Sequence, residues 1–580
     1  RVPSLRVDDD AAAIELFADR ARLVQPGFSV TEANLHAVAD LCVRLDGIPL
    51  AIELATARLK MLTVDQISQH LGDRFRLLTG GSRTAVERQR TLKAMMDWSY
   101  DLLSAEEQAL LRRLAVFYDG FTLDAAEEVC SGETLLRFEV LDLLGRLVEA
   151  SIVTFEADLR PRYRLLETVR QYALDKLVEA DEADEARERH AEYYRSLAVT
   201  VDDRLNRADS EWMEIATDDL GNFRAAMTWA IDAKRGELAL ELASDLRPYF
   251  WNRLMYRETL KWLTSALQMV DDGSASVPRA LAFALTDAGN LGDEPAIGSL
   301  KPRAERLLGA SGRADAGLLS NALAAIALSD DVRRADQLFR EAHLALREAG
   351  SRRWTSPLQN RSLTAWLMND VSSRAEVLEL VAVAESEETN IHGDVVRACF
   401  QTIDGDYQTV LDFVAVHTPI DEWEEAMLLT LAGYSARALG RSEEALNSIR
   451  RAHHALRIAG RGPTFWELGM LLIDMGRLDE AVAEYTDTPV ASATVLDRTF
   501  DAHFFSMVAE RRGDFEASAV LAGYAYARGA AGSVVPLDFD LGRLEESQRR
   551  VEQELGTARY QELRRRGGAA AWEELPLVHR

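Results

Sequence analysis

Gly440-Arg441-Ser442-Glu443-Glu444-Ala445 is answered 36 residues later by Gly476-Arg477-Leu478-Asp479-Glu480-Ala481. Gly405-Asp406-Tyr407 before them and Gly513-Asp514-Phe515-Glu516-Ala517 after them extend the series, at spacings of 35, 36 and 37 residues. A small residue stands seven positions before each glycine (Ala398, Gly433, Gly469, Ser506), and Val410, Ala445, Ala481 and Ser518 stand five positions after. Larger side chains such as Ile449 and Tyr485 follow four positions further on. A period of this length means one supersecondary unit, stacked on copies of itself. The glycine turns the corner between two helices, and the small residues let those helices approach closely. An earlier unit is expected around Ala335, Phe339 and Ala342.

This is the logic of a tetratricopeptide-type array, so residues 190–560 are expected to form a helical superhelix. Such arrays expose a concave surface suited to peptides, protein partners or small ligands. Tyr249-Phe250-Trp251, Trp262, Trp354, Trp366, Trp423, Phe465-Trp466 and Tyr524 have two readings. They line a ligand groove, or they fill the core as most aromatics at helical spacing do. Residues 561–580, ending Leu575-Pro576-Leu577-Val578-His579-Arg580, read as a tail with no evident capping helix.

Working toward the start of the chain, the pattern changes. Residues 1–85 read as a helical arm of three or four short helices. At Asp46-Gly47-Ile48-Pro49-Leu50-Ala51-Ile52-Glu53-Leu54-Ala55 the glycine ends one helix and the proline opens the next, at a position where a missing N–H costs nothing. By itself this is a plain helix–turn–helix corner. Residues 86–178 hold short helices at Leu92–Leu103, Ala105–Phe117, Leu123–Val129 and Leu135–Leu147. Two β-prone runs follow, Ser151–Phe155 and Arg162–Leu166, joined by a polar turn through Asp158 and Pro161. Helices followed by one hairpin is winged-helix order. The helix and wing that would meet DNA carry Arg137, Arg146, Arg160, Arg162 and Arg164, offset by Glu139, Asp142, Glu149, Glu156 and Asp158. So even a balance predicts a packing module rather than a DNA reader. The acidic stretch Glu179–Glu188 reads as a solvated helix end or hinge.

Composition agrees with a helical, globular chain. Of 580 residues 47% are hydrophobic and 28% charged, and proline numbers only 14. Lys+Arg total 67 against 95 Asp+Glu, a net charge of −28 that disfavours non-specific binding to nucleic acid or anionic membrane. Cys42, Cys130 and Cys399 are far apart, which gives no disulfide framework and fits a cytoplasmic location. No apolar run reaches the roughly 18–20 residues of a membrane span, and no secretory leader is evident. No Gly precedes a Lys, so no P-loop phosphate cradle is present, and the metalloprotease, nucleophile-elbow and dinucleotide motifs are missing too. His453-His454 is the one adjacent pair among ten histidines, and neighbours on a helix point about 100° apart, a poor chelate. The chain is therefore expected to be no enzyme, with no catalytic or metal residues.

Five stretches together resemble the bacterial STAND regulators, NTPases related to NB-ARC proteins and joined in LuxR-type or AfsR-like transcriptional regulators to DNA-binding domains. They are Asp46–Ala55, Asp73-Arg74-Phe75-Arg76-Leu77-Leu78-Thr79-Gly80-Gly81, Asp97-Trp98-Ser99-Tyr100-Asp101-Leu102-Leu103, Tyr163-Arg164-Leu165-Leu166-Glu167-Thr168-Val169-Arg170-Gln171-Tyr172-Ala173 and Asp219-Leu220-Gly221-Asn222-Phe223-Arg224-Ala225-Ala226. The resemblance spans roughly residues 10–270; beyond that only the repeat architecture is similar. It implies an order of NTPase core, helical arm, winged helix and superhelical sensor, with this chain beginning just after the core. It also implies that Gly47 and Pro49 lie against an adenine, ATP or ADP being held only together with an upstream P-loop core. Where related proteins carry a Met-His-Asp motif that senses phosphate, this chain reads Leu165-Leu166-Glu167, with no imidazole.

The resulting expectation is a mostly all-α chain: arm, winged helix with one β-hairpin, then a tetratricopeptide-like solenoid. Its expected role is the sensor and relay region of a STAND-type transcriptional regulator, which binds an inducer or protein partner on the superhelix and assembles with like copies on activation. The alternative is a stand-alone scaffold that binds protein, or DNA, without any nucleotide link.

Overall fold

The computed structural model describes residues 12–576 except 32–33, 46, 48, 69–92, 94, 158–159, 208, 329, 371, 373, 388–391, 420, 459–464, 487–494 and 533–537. Asp46, Ile48, Asp158 and the stretch Asp73–Gly81 therefore lie outside the described residues, as does Leu577–Arg580. The chain divides into two compact units, one of residues 1–196 and 217–229, the other of residues 197–216 and 230–580.

In the first unit, helix Ala12–Val24 buries Ala13, Phe17, Ala18 and Ala21, the i, i+4 stripe of an amphipathic helix. Helices Leu35–Arg44 and Pro49–Thr56 close on that stripe with Val38, Leu41, Cys42, Ala51, Ile52 and Ala55. Three further helices build the expected winged helix. Ala105–Leu114 starts with a capping box between Ser104 and Glu107, and Leu123–Cys130 starts on Thr122, whose hydroxyl accepts from the Ala125 N–H. Val140–Glu149 buries Val140, Leu143, Leu144 and Leu147. Strands β1 (Val153–Glu156) and β2 (Arg162–Leu165) pair antiparallel with Val153 opposite Leu165, and Phe121 adds a bridge to Tyr163. Helix Glu167–Glu179 follows. The acidic stretch after it is more than a solvated end: Asp181 turns left-handed at φ 58°, and Glu182 receives Arg112 at 2.7 Å and Arg113 at 3.0 Å.

The second unit is helical throughout its described residues, and its helices pack in the manner of an array. Successive helices lie together, as Arg313–Ala327 against Val332–Glu348 or Glu422–Ala438 against Ser442–Ile458, and alternate helices also meet, as Val277–Leu291 against Arg313–Ala327. Contacts of that kind, mainly between near neighbours, mark a solenoid; helix Arg247–Asn252 reaches further, to helix Glu422–Ala438, where Arg253 pairs with Glu422 at 2.9 Å.

The corners explain the periodicity. Gly405, Gly440, Gly476 and Gly513 have φ between 73° and 78°, the left-handed region open to glycine. At each, the glycine N–H and the next N–H turn back to the helix end. Arg441 donates to Ala436 at 2.8 Å, Arg477 to Leu472 at 2.8 Å, Asp514 to Ala509 at 2.9 Å and Asp406 to Gln401 at 2.9 Å. These are Schellman closures, which satisfy carbonyls that the helix leaves without partners. The small residues do what their spacing predicted. A Cβ on Gly433 would collide with Ile449 of the facing helix, and Ser506 Oγ meets the Ser518 carbonyl at 3.0 Å.

Two sequence readings are settled here by packing. Tyr249, Phe250, Trp262, Trp354 and Tyr524 are buried core residues, while Trp251, Trp366 and Trp423 are half-buried and pack against the core; the side chains of Phe465 and Trp466 lie outside the described residues. The stretch read as a tail from residue 561 is instead packed. Helix Thr557–Ala569 sets Gly567 directly beneath the Val520 carbonyl, and Tyr560, Leu563 and Leu575 join a core with Val520, Leu521 and Tyr524. Paired glycines, Gly523 and Gly567, permit this backbone-to-backbone approach, a signal that hydrophobic patterning does not carry.

Gly433→Ala is expected to lower stability by about 1–3 kcal/mol, since Ile449 must move. Gly542→Ala, exposed in helix Asp538–Leu555 with open space at its Cβ, should raise it by about 0.5–1 kcal/mol. Urea unfolding midpoints of the two variants against the parent chain check the opposite signs.

Candidate functional site

Gly47 and Pro49 share one corner of the arm. Gly47 is buried with φ 60°, its N–H donating to the Cys42 carbonyl at 3.0 Å, and Pro49 is the first residue of its helix. Described chemistry at this corner is confined to backbone turning; Cys42, just before it, is a buried thiol pushed up to about 12 by burial, hence inert. The stretch Leu165-Leu166-Glu167 is likewise structural. Leu165 pairs in the hairpin, Leu166 is exposed, and Glu167 holds Arg170 through two bonds of 2.8 Å.

The face that a winged helix would offer to DNA is set by Val140–Glu149 and the hairpin. Leu141, Asp142, Gly145, Arg146 and Glu149 point to solvent from the helix, and the exposed Phe138 stands beside them. Each arginine of this face already has a carboxylate. Arg137 reaches Glu127 at 3.1 Å and Glu128 at 3.0 Å, Arg146 reaches Glu107 at 3.7 Å, and Arg164 reaches Glu156 at 3.1 Å. Arg160 reaches Asp218 at 3.3 Å. Phosphate contacts are made by outward-facing cationic groups, and a neighbouring carboxylate offsets their charge. Here a carboxylate lies beside each of them.

Arg162 departs most from the DNA-reading pattern, because it is buried. It grips Asp219 with two bonds of 2.8 and 3.1 Å and donates to the Gly120 carbonyl at 3.1 Å. Asp219 also accepts from Tyr194 Oη and Asn222 Nδ2, both at 3.0 Å, while Asn222 Nδ2 reaches the Gly120 carbonyl at 2.9 Å and Asn222 Oδ1 takes the Tyr118 N–H at 2.7 Å. Gly221 is hemmed in by the Asp119 carboxylate, and Phe223 stacks edge-on against Tyr194. Asp219-Leu220-Gly221-Asn222-Phe223, met in the sequence only through a family resemblance, is thus the lock that receives the wing. His190 lies in the same core, 3.4 Å from Asn222, and burial pushes it down to about 4. The neighbouring motifs work alike: Tyr172 Oη donates to Asp97 at 2.7 Å, and Arg170 covers the Tyr118 ring at 4.1 Å.

On the superhelix, an open cleft of about 570 Å³ lies along helices Glu422–Ala438 and Ser442–Ile458. Glu425, Glu443, Arg450, Arg451 and His454 give it a mixed charge over a floor of Ala426, Leu429 and Leu446. Arg451 pairs with Glu425 at 2.7 Å. Its size suits a small ligand or a few side chains of a peptide. His453 is buried while His454 is exposed, so the pair diverges as helix geometry requires. A group whose donor atoms do converge, Asp394, His417 and Glu424, has no counterpart in sequence spacing.

The winged helix-turn-helix domain family matches residues 103–178. A Mycobacterium tuberculosis protein named "Putative HTH-type transcriptional regulator" is 46% identical over 269 residues, which are 46% of this chain and 30% of that protein, and a Mycobacterium bovis protein of the same name matches equally. An "Uncharacterized protein" of M. tuberculosis is 45% identical over 197 residues, 34% of this chain and 50% of that one. The chain thus spans about 30% of the length of the first relatives and half of the last. A STAND protein with a tetratricopeptide repeat sensor from Pyrococcus horikoshii aligns with 95% of this chain and 67% of its own, at 12% identity and a TM-score of 0.36. At that score the likeness has no bearing on fold or function.

Arg162→Leu strands a buried carboxylate and is expected to cost about 3–5 kcal/mol, with Asp219→Leu added to it recovering part of the loss. Chemical denaturation of the single and double variants measures the recovery. His190 binds a proton near 6.5 when unfolded and near 4 when folded. Stability therefore falls as pH drops from about 6.5 toward 4, by up to about 3 kcal/mol, and the loss levels off below that window. His190→Gln should flatten the slope in stability-against-pH curves.

Proposed function

We propose that this chain is the sensor and relay region of a STAND-type transcriptional regulator. The helical array takes up an inducer or protein partner, and the arm and winged helix pass that event to a nucleotide switch in a P-loop core. Transmission of this kind needs contacts that differ between two states. A single observation carries the relay reading: the arginines of the winged-helix face are held by the chain's own carboxylates, and Arg162 of the wing is buried on Asp219. A winged helix arranged so is equipped to pack on protein. The mycobacterial relatives, whose printed name is that of a transcriptional regulator, support the regulatory setting, and the matching helix-turn-helix family supports the module.

Under this reading Gly47 and Pro49 become nucleotide contacts only when a P-loop core supplies the phosphate cradle, because the described corner offers no cationic group for phosphate. The open cleft at Glu425, Arg451 and His454 is the place where an inducer or peptide would be taken.

Calorimetry with ATP and ADP, on this chain and on a longer form that carries a P-loop core, tests the proposal. Binding by the longer form alone, weakened at least tenfold by Gly47→Val or Pro49→Ala, is the expected result. ATP hydrolysis by this chain alone overturns the reading. So does salt-dependent binding of duplex DNA to this chain in fluorescence anisotropy, lost on Arg146→Glu.

A further inference from the structure

At the meeting of three helices in the second unit, a histidine sits between two carboxylates. Asp394 is in the first turn of helix Gly393–Ile403, His417 directly follows helix Tyr407–Val416, and Glu424 is in the first turn of helix Glu422–Ala438. His417 Nδ1 stands 3.6 Å from Asp394 Oδ2, and His417 Nε2 stands 3.6 Å from Glu424 Oε2. One donor atom from each of the three residues lies within 4.8 Å of the others. Neither separation is a hydrogen bond, and His417 Nε2 is a buried nitrogen with no hydrogen-bond partner. Buried imidazole nitrogens of folded proteins are normally satisfied, so an exception calls for a ligand.

The geometry points to a divalent-cation site of zinc type, with one nitrogen of His417 and the carboxylates of Asp394 and Glu424 as ligands. Metal–ligand bonds of about 2.0–2.2 Å in a tetrahedral shell set neighbouring donor atoms roughly 3.4 Å apart; the three donor atoms lie within 4.8 Å of one another, so a bound ion would take one of the two imidazole nitrogens and draw the carboxylates closer to it. Imidazole and carboxylate are both zinc ligands, and three protein ligands leave a fourth position for water or an incoming group.

The surroundings favour a cation. The Glu424 carboxylate is almost wholly buried, and His417 is 15% exposed, so the charge of a bound dication would be screened little by water. Arg397 is the nearby cation, but it is bound to Asp394 Oδ1 at 2.8 Å and to Glu385 at 2.5 and 2.6 Å, which leaves Asp394 Oδ2 facing His417. Phe413 packs on the imidazole at 4.7 Å and fixes its plane. Adjacent to the triad, His392 donates to or accepts from Asp421 at 2.8 Å and lies against Trp423. The Asp421 side chain caps the same helix that presents Glu424. A dication here would tie the entries of two helices to the exit of a third, so occupancy would tighten the register of successive repeats.

Titration of the full chain with zinc chloride by calorimetry, and with cobalt chloride followed by visible absorption, tests the site. One equivalent binding with a dissociation constant of micromolar or below, and a tetrahedral cobalt spectrum, is expected. His417→Ala should weaken binding at least a hundredfold. Asp394→Asn, isosteric and at a half-exposed position, should weaken it tenfold or more while helical circular dichroism stays at the parent level. Lack of zinc binding to the folded parent chain overturns the proposal, as does one-equivalent binding that survives both substitutions.

Discussion

The last carbonyls of an α-helix have nowhere to go inside the helix, and most of the second unit follows from how this chain disposes of them. At Gly405, Gly440, Gly476 and Gly513 a single left-handed residue lets two N–H groups fold back and close the end. That closure fixes the direction in which the next helix leaves, and a fixed direction repeated at near-constant spacing generates an array. The packing residues then have a defined partner. Gly433 meets Ile449 and Ser506 meets Ser518 because the corner has already set one helix against the other. Burial of Ala, Leu and aromatic side chains supplies most of the stabilisation, but the corner decides which side chains face each other.

The first unit is organised by charge rather than by turns. Its arginines are directed inward or sideways onto acids of the same unit, from Arg112 and Arg113 on Glu182 to Arg162 on Asp219. Exposed pairs of this kind contribute little stability. The winged helix presents a face on which Arg137, Arg146, Arg160 and Arg164 each lie beside a carboxylate. This joins the net charge of −28 and the local geometry in a single account.

Much of the fold was legible because it rests on local signals. The glycine period announced the array, and the polar turn between two β-prone runs announced the hairpin. Other corners were silent. Lys234, Leu254 and Asn369 make the same left-handed closure as the repeat glycines, with φ of 56°, 55° and 48°. No residue preference marks a lysine or leucine for that conformation; the surrounding helices impose it. The lock on Arg162 was half legible: Asp219 and Asn222 drew notice as part of a familiar string, yet Arg162 and Gly120, which they hold, are 57 and 102 residues away in sequence. Asp394, His417 and Glu424 were not legible at all, because their spacings follow from where helices end and match no ligand pattern. Gly47 and Pro49 were read correctly as a corner, with any nucleotide contact belonging to the proposed function.

The dependence of Arg162 on Asp219 also says where the winged helix stops. The family pattern closes at residue 178, yet the hairpin's guanidinium finds its counter-charge in the segment 217–229, and Tyr194 and His190 complete the enclosure. A fragment cut at the family boundary would carry a cation shaped for a pocket it no longer has, with the Phe117 and Phe121 rings that lie over that pocket opened to water. The smallest piece able to fold by itself is accordingly longer than the motif, and any transplant of this winged helix into another protein must bring residues up to Trp229 along with it.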